Sequence, residues 1–198
     1  MNETLKSISE RHSTRLFSDK PISGKDLRLL LDAANRAPSA HNEQSWRFLV
    51  IKGEKKKGLA DLISKKSSDF SRASSALLRM ASRSITSATA VIAVINSGEL
   101  IEHGSRLFEI DEKLSNDFFR TMEIQSSSAA VENLLLAAAS LGIATVWLGI
   151  MYLIKDDVMD YFGEKKGEFM AIIPIGYPEK TGHSPRKRPV DAVVKHLG

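Results

Sequence analysis

Leu27, Leu30, Leu31 and Ala34 recur at three- and four-residue intervals, the spacing that lines one face of an α-helix. Ser23 precedes them as N-cap, with Asp26 three residues on in the place of a capping-box acid. Pro38 closes this helix, because proline has no N–H for the ladder and pushes its predecessor out of the helical region. A shorter helix from about Thr4, capped by Asn2 or Thr4, turns Leu5 and Ile8 inward. The polar loop SAHNEQS leads into WRFLVIK, whose aromatic and branched residues predict a strand. The lysine-rich KGEKKKG (52–58) reads as a turn, and the serine-rich residues 58–87 as helical. AVIAVI (90–95) is an unbroken apolar run, expected of a strand buried on both faces.

Residues 97–121 show no clean period, although they contain His103, Phe108, Phe118 and Phe119; a substrate lid and an interface helix are equal readings. From Glu123 to Leu141 the helical period returns in Val131, Leu134, Leu135, Ala138 and Leu141, with Gly142 placed to stop it. IATVWLG predicts a third strand, IKDDVMDYFG a helix closed by Gly163, and EFMAIIPIGYP a fourth strand. Asp156 and Asp157 at a helix start complement its dipole and need no catalytic role. Strands and helices do not alternate regularly, so the expected class is α+β, a central mostly antiparallel sheet flanked by helices, in a single domain over 1–198. The end, RKRPVDAVVKHLG, is polar except for Val193 and Val194, and suggests an arm that a second chain covers.

Composition removes several chemistries. The 198 residues include no cysteine, which excludes disulfides, thiolate metal sites and cysteine nucleophiles. The histidines have no metal spacing, and Gly-x-Ser-x-Gly, P-loop and Gly-x-Gly-x-x-Gly patterns are absent. A formal charge of +4, concentrated in residues 52–58 and 184–189, makes no broad nucleic-acid face. No apolar run reaches membrane-spanning length and the start has no apolar leader, so a cytoplasmic protein is expected.

Two polar constellations remain. SERHSTRLF (9–17) gathers arginine forks, which suit phosphate, with short hydroxyl donors; a solvated loop is the plainer reading. In APSAHNEQSWRF (37–48), Asn42 and Gln44 both donate and accept, as the edge of a heterocycle does, while Ser39 and Asn42 also suit ordinary turn chemistry.

Together with SAAVENLLLAAASLGIATVWLG, IPIGYP and RKRP, in that order, RHSTRLFSDKPIS and RAPSAHNEQSWRFLVI resemble the nitroreductase family of FMN-dependent oxidoreductases over nearly the whole chain. The resemblance implies an intertwined homodimer. Arg11, His12, Ser13 and Arg15 would hold the flavin's phosphate, ribityl and pyrimidine portions, with Arg15 answering charge near N1 and O2. Pro38, Ser39, Ala40, Asn42 and Gln44 would approach it from the other subunit. Trp147, Leu148 and Gly149 would lie by the ring, and Arg186 and Arg188 would return to the phosphate. Two departures stand out: Ser45 replaces the proline common before the tryptophan, and the family's mid-chain asparagine and lysine contacts have no evident counterpart in residues 65–87.

The implied activity is hydride transfer from NADH or NADPH through the flavin to a small organic acceptor, in ping-pong order, with the chemistry supplied by the cofactor and no side-chain nucleophile. A flavin-binding sensor or store, and a protein for another phosphorylated ligand, are the alternatives.

Overall fold

The computed structural model describes residues 2–107, 111–180, 182 and 184–198. Phe108 lies outside the described residues. The elements run α1 (Glu3–Glu10), α2 (Gly24–Asn35), β1 (Trp46–Ile51), α3 (Gly53–Lys66), α4 (Arg72–Ser87), β2 (Ala90–Asn96), α5 (Glu99–Leu107), α6 (Glu112–Ser140), β3 (Ala144–Thr145), α7 (Lys155–Phe162) and β4 (Glu168–Gly176). The four strands form one antiparallel sheet in the order β1-β2-β4-β3, which matches the expected α+β class.

Helices cover both sheet faces. On one, Leu59 and Ile63 of α3, Leu78 and Ile85 of α4 and Val158 of α7 pack with Val91, Ala93 and Ile172. On the other, Leu30 and Ala34 of α2 and Ala130, Val131, Leu134 and Ala138 of α6 meet Ile92, Val94, Ile173 and Ile175. Every residue of β2 is buried, as its unbroken apolar run requires.

Several ends follow directly from the residues. Asn2 caps α1 by accepting the Leu5 N–H at 2.9 Å, and Ser23 caps α2 by accepting that of Asp26 at 3.0 Å. Gly163 closes α7 in the left-handed region at φ 75°, where a side chain is strained.

Other expectations need correction. The lysine-rich 52–58 is not a turn but the start of α3. Its charges are absorbed locally: Lys56 Nζ donates to the carbonyls of Thr86 and Ala88 at the end of α4, and burial lowers its pKa. Lys55 Nζ donates to the Tyr161 carbonyl at 3.3 Å. The described residues within 97–121 hold α5 and the first turns of α6. Their period is hidden because small and polar residues occupy buried positions. Gly104 lets α5 approach so closely that a Cβ there would lie 2.3 Å from the Phe119 ring. Ser115 is buried there too, and further along α6, where the apolar period returns, buried Ser126 and Ser127 satisfy their hydroxyls on the carbonyls one turn back, at 2.7 and 2.8 Å.

The third strand is shorter than IATVWLG suggests. Val146 and Leu148 still donate N–H bonds to the carbonyls of Pro174 and Ile172, at 3.4 and 3.0 Å. Pro174 has no N–H to return, so the ladder lapses after Thr145 and the chain turns through Gly149–Ile154. Leu5 and Ile8 are not turned inward within one chain; both are half-exposed, as are Val193 and Val194. No helix among the described residues is long and apolar enough to cross a membrane.

Leu134 is fully buried in the contact between α6 and the sheet. Leu134→Ala is expected to lower the unfolding free energy by about 2–5 kcal/mol, read from urea titrations followed by circular dichroism. A loss below about 1 kcal/mol would mean that the site collapses around the missing atoms.

Candidate functional site

Arg11 ends α1, and the chain then runs along the free edge of β3: Ser13 forms a parallel bridge with Thr145, and the Thr14 N–H donates to the Thr145 carbonyl at 2.9 Å. This edge pairing opens a hollow of about 540 Å³ between Arg11, His12 and Thr14 on one side and Ala139, Ile143 and Thr145 on the other. Arg11 Nε stands 3.8 Å from the Glu132 carboxylate of α6. His12 Nδ1 donates to the Glu10 carbonyl at 3.0 Å, and its Nε2 faces Gly182, where a Cβ would come within 2.6 Å.

A second recess, of about 140 Å³, is lined by Arg15, by Trp147, Leu148 and Gly149, and by Leu77, Met80 and Ser84 of α4. The lapse of β3 after Thr145 is what delivers Trp147–Gly149 to this wall. Leu77 and Met80 were not legible as site residues. The one signal for them is that they are large apolar side chains lying off the buried stripe of Leu78, Ala81 and Ile85, and they remain 46% and 41% exposed.

The loop after α2 sits elsewhere. His41, Asn42 and Gln44 all have positive φ, at 52°, 56° and 50°. Asparagine tolerates this region, but His41 and Gln44 carry strain of about 1–2 kcal/mol each, the kind of cost that is retained at functional loops. Local bonds hold it. Ser39 Oγ accepts the Gln44 N–H at 3.0 Å, Gln44 Nε2 donates to the Asn42 carbonyl at 3.1 Å, and the Ala40 N–H donates to Ser126 Oγ at 3.1 Å. Pro38, Ser39 and Ala40 thereby border a hollow with Met122, Gln125, Ser126 and Ala129 of α6.

Within one chain the two constellations do not meet. Ser126 borders the loop and Ala139 borders the first hollow; that stretch of α6 spans about 20 Å at 1.5 Å per residue. Arg186 and Arg188 lie in the exposed tail and line neither hollow, although Ser184 reaches the first.

A buried acid of α6 faces the start of α5. The Glu123 carboxylate, 2% exposed, accepts the Leu100 N–H at 3.0 Å. Burial raises its pKa above the ordinary carboxylate value, and the donors around it, Leu100 foremost, oppose the rise.

A family model described as the Nitroreductase family matches residues 8–177. An Archaeoglobus fulgidus protein that carries the name NADH dehydrogenase/NAD(P)H nitroreductase is 33% identical over 186 residues, spanning 90% of this chain and 87% of the relative. Among solved structures, a nitroreductase of Desulfovibrio desulfuricans in complex with FMN aligns at TM-score 0.74 and 26% identity, covering 100% of this chain and 98% of that one. The NADPH:FMN oxidoreductase of Vibrio harveyi aligns at TM-score 0.78 and 17% identity, over 100% of this chain and 78% of its own.

The raised pKa of Glu123 has a definite sign in stability. The folded chain holds this proton more tightly than the unfolded chain, so the contribution is full below the unfolded carboxyl pKa and is lost as pH rises through the folded value. Urea midpoints are expected to fall over that interval, and Glu123→Gln should flatten the slope. An unchanged slope in the variant would assign the pH dependence to other carboxylates.

Proposed function

The chain belongs to the nitroreductase family, and from that membership we propose that two copies bind FMN at their interface and work as an NAD(P)H-dependent oxidoreductase on a small organic acceptor. The observation that carries this reading is the pair of hollows at the β3 edge, one bordered by Arg11 and the other by Arg15. The larger, at about 540 Å³, falls by itself within the range of cofactor sites, about 300–1,000 Å³. The donor set fits FMN: a phosphate asks for an arginine fork with short donors, and a flavin rim offers acceptors beside flat apolar faces.

In this reading Arg11, His12 and Ser13 hold the phosphate end, and Arg186 and Arg188 close over it from the tail. Glu132 keeps Arg11 at the rim. Arg15 faces the pyrimidine edge, where a fixed cation stabilises negative charge on the reduced ring. Leu77 and Met80 provide apolar contact on this wall, and Arg15 carries its polar recognition. Trp147, Leu148 and Gly149 border the ring. FMN bound there supplies the redox chemistry, taking a hydride from NADH or NADPH and giving it to a nitroaromatic, quinone, enone or similar acceptor in ping-pong order.

Geometry within one chain supports the homodimer reading. Pro38, Ser39, Ala40, Asn42 and Gln44 stand by the middle of α6, about 20 Å along it from the Arg11 hollow, away from a ligand held at Arg11–Arg15. A second copy brings its loop to that site. It also gives Leu5, Ile8, Val193 and Val194 an apolar surface to cover them.

The deciding measurement is the visible spectrum of the purified chain. A bound flavin that NADH or NADPH bleaches without air, and that an acceptor restores, is the expected outcome. Bleaching with no acceptor-driven return would favour the sensor or store, and a colourless chain that takes up no FMN would overturn the proposal. Arg15→Ala should raise the FMN dissociation constant about tenfold, the loss of one charge-assisted contact of roughly 1.5 kcal/mol, and should slow turnover. A variant that stays yellow through desalting and works at the parent rate would remove Arg15 from the site. Deleting residues 184–198 should weaken both dimer and flavin binding in sedimentation and fluorescence titrations, and a truncated chain that stays dimeric and loaded would show that the arm is dispensable.

A further inference from the structure

Helix α4 carries Arg72, Arg79 and Arg83 and no acidic residue. Helical geometry sets the three within about 40° of one another around the axis, as one row along the exposed side of the helix. Among the described residues none of the three has a carboxylate partner, whereas Arg11, Arg28, Arg47 and Arg120 each stand beside one. Arg79 donates to the hydroxyl of Ser75, one turn back. Arg79 and Arg83 are four residues apart, the spacing at which like charges repel across a helical turn. Such a row destabilises α4, and no acid on the helix offsets it.

The row runs along the rim of the recess that holds Arg15. Met80, on the recess wall, follows Arg79 directly and lies one turn before Arg83, and Leu77 lies one turn before Met80. The wall and the arginine row are neighbouring strips of the same helix. Leu77 and Met80, half-exposed, offer flat apolar surface. The guanidinia beside them offer forks of donors that suit a phosphate. A ligand matching both strips has a ring at one place and a phosphate at another. NADH and NADPH share such a frame and differ in the 2′-phosphate, which carries a charge of about −1.5 to −2 at neutral pH.

We propose that Arg79 and Arg83 form a site for the 2′-phosphate of NADPH, and that this chain takes NADPH in preference to NADH. The proposal deepens the FMN reading and rests on it: the nicotinamide enters the recess between Arg15 and Gly149, and the other end of the coenzyme crosses the rim of α4. The bound phosphate converts the repulsion between Arg79 and Arg83 into attraction to a shared anion. Arg72, two turns before Arg79, extends the row and draws the anionic coenzyme toward it.

Titrating the full chain with 2′,5′-ADP and with 5′-AMP isolates the 2′-phosphate. The parent should bind 2′,5′-ADP at least about tenfold tighter, the effect of one charge-assisted contact. Added KCl should narrow that margin. A variant carrying both Arg79→Gln and Arg83→Gln should lose the margin, with its affinity for 5′-AMP kept. In flavin-loaded protein the NADPH-to-NADH ratio of kcat/KM should fall by a similar factor in this variant, through the KM for NADPH. Equal parental affinity for the two adenosine phosphates, or a loss common to both, would overturn the proposal. The variant should melt at or above the parent's temperature, because a repulsive pair has gone; a lower melting temperature would make the arginines supports of the fold and reject the site. The adenosine phosphates need no bound flavin. A parent chain that takes up no FMN would overturn the cofactor reading, and these titrations would still decide the α4 site.

Discussion

The apolar stripe of α6 pressed on the β2–β4 face is the contact on which the remaining architecture depends. Ala130, Val131, Leu134 and Ala138 are fully buried there, and their withdrawal from water supplies roughly 1.5–3 kcal/mol for each large side chain. This fixes a helix of 29 residues as a rigid strut across the molecule. The carboxyl end of the strut carries the wall of the Arg11 hollow and its middle carries the seat of the Pro38–Gln44 loop. In the proposed reading a site built from both draws on two chains, and their separation along α6 is the reason.

Around that strut, hydrogen bonding at a sheet edge performs the finer placement. Thr145 receives the chain from Arg11 to Arg15, and the missing N–H of Pro174 releases Trp147–Gly149 from the ladder. The same short edge thus presents cations on one side and exposed backbone on the other. An edge strand with unsatisfied groups invites pairing, and here the pairing partner is the segment that brings the donors. The Leu77 and Met80 wall adds apolar surface without altering that edge.

Glu123 joins these levels. It is an acid in an apolar setting, retained because the start of α5 offers it the Leu100 N–H. The serines after it, Ser126 and Ser127, bond within their own helix. Its burial gives stability a dependence on pH.

What the sequence determined by itself was local. Ser23, Pro38, Gly142 and Gly163 mark helix boundaries because each acts on backbone within a turn of itself, and AVIAVI declares a doubly covered strand because no polar residue interrupts it. The donor cluster and the amide-bearing loop were legible as chemistry and, through the order of their motifs, as a family pattern. Their separation along α6, the contribution of α4 and the short third strand were decided only by tertiary structure. Leu77 meets Arg15 across more than sixty residues, and Ala40 meets Ser126 across 86; periodicity carries no information at that range. KGEKKKG misled for the same reason: its lysines find carbonyl and aromatic partners on α4 and α7 that only the assembled chain provides.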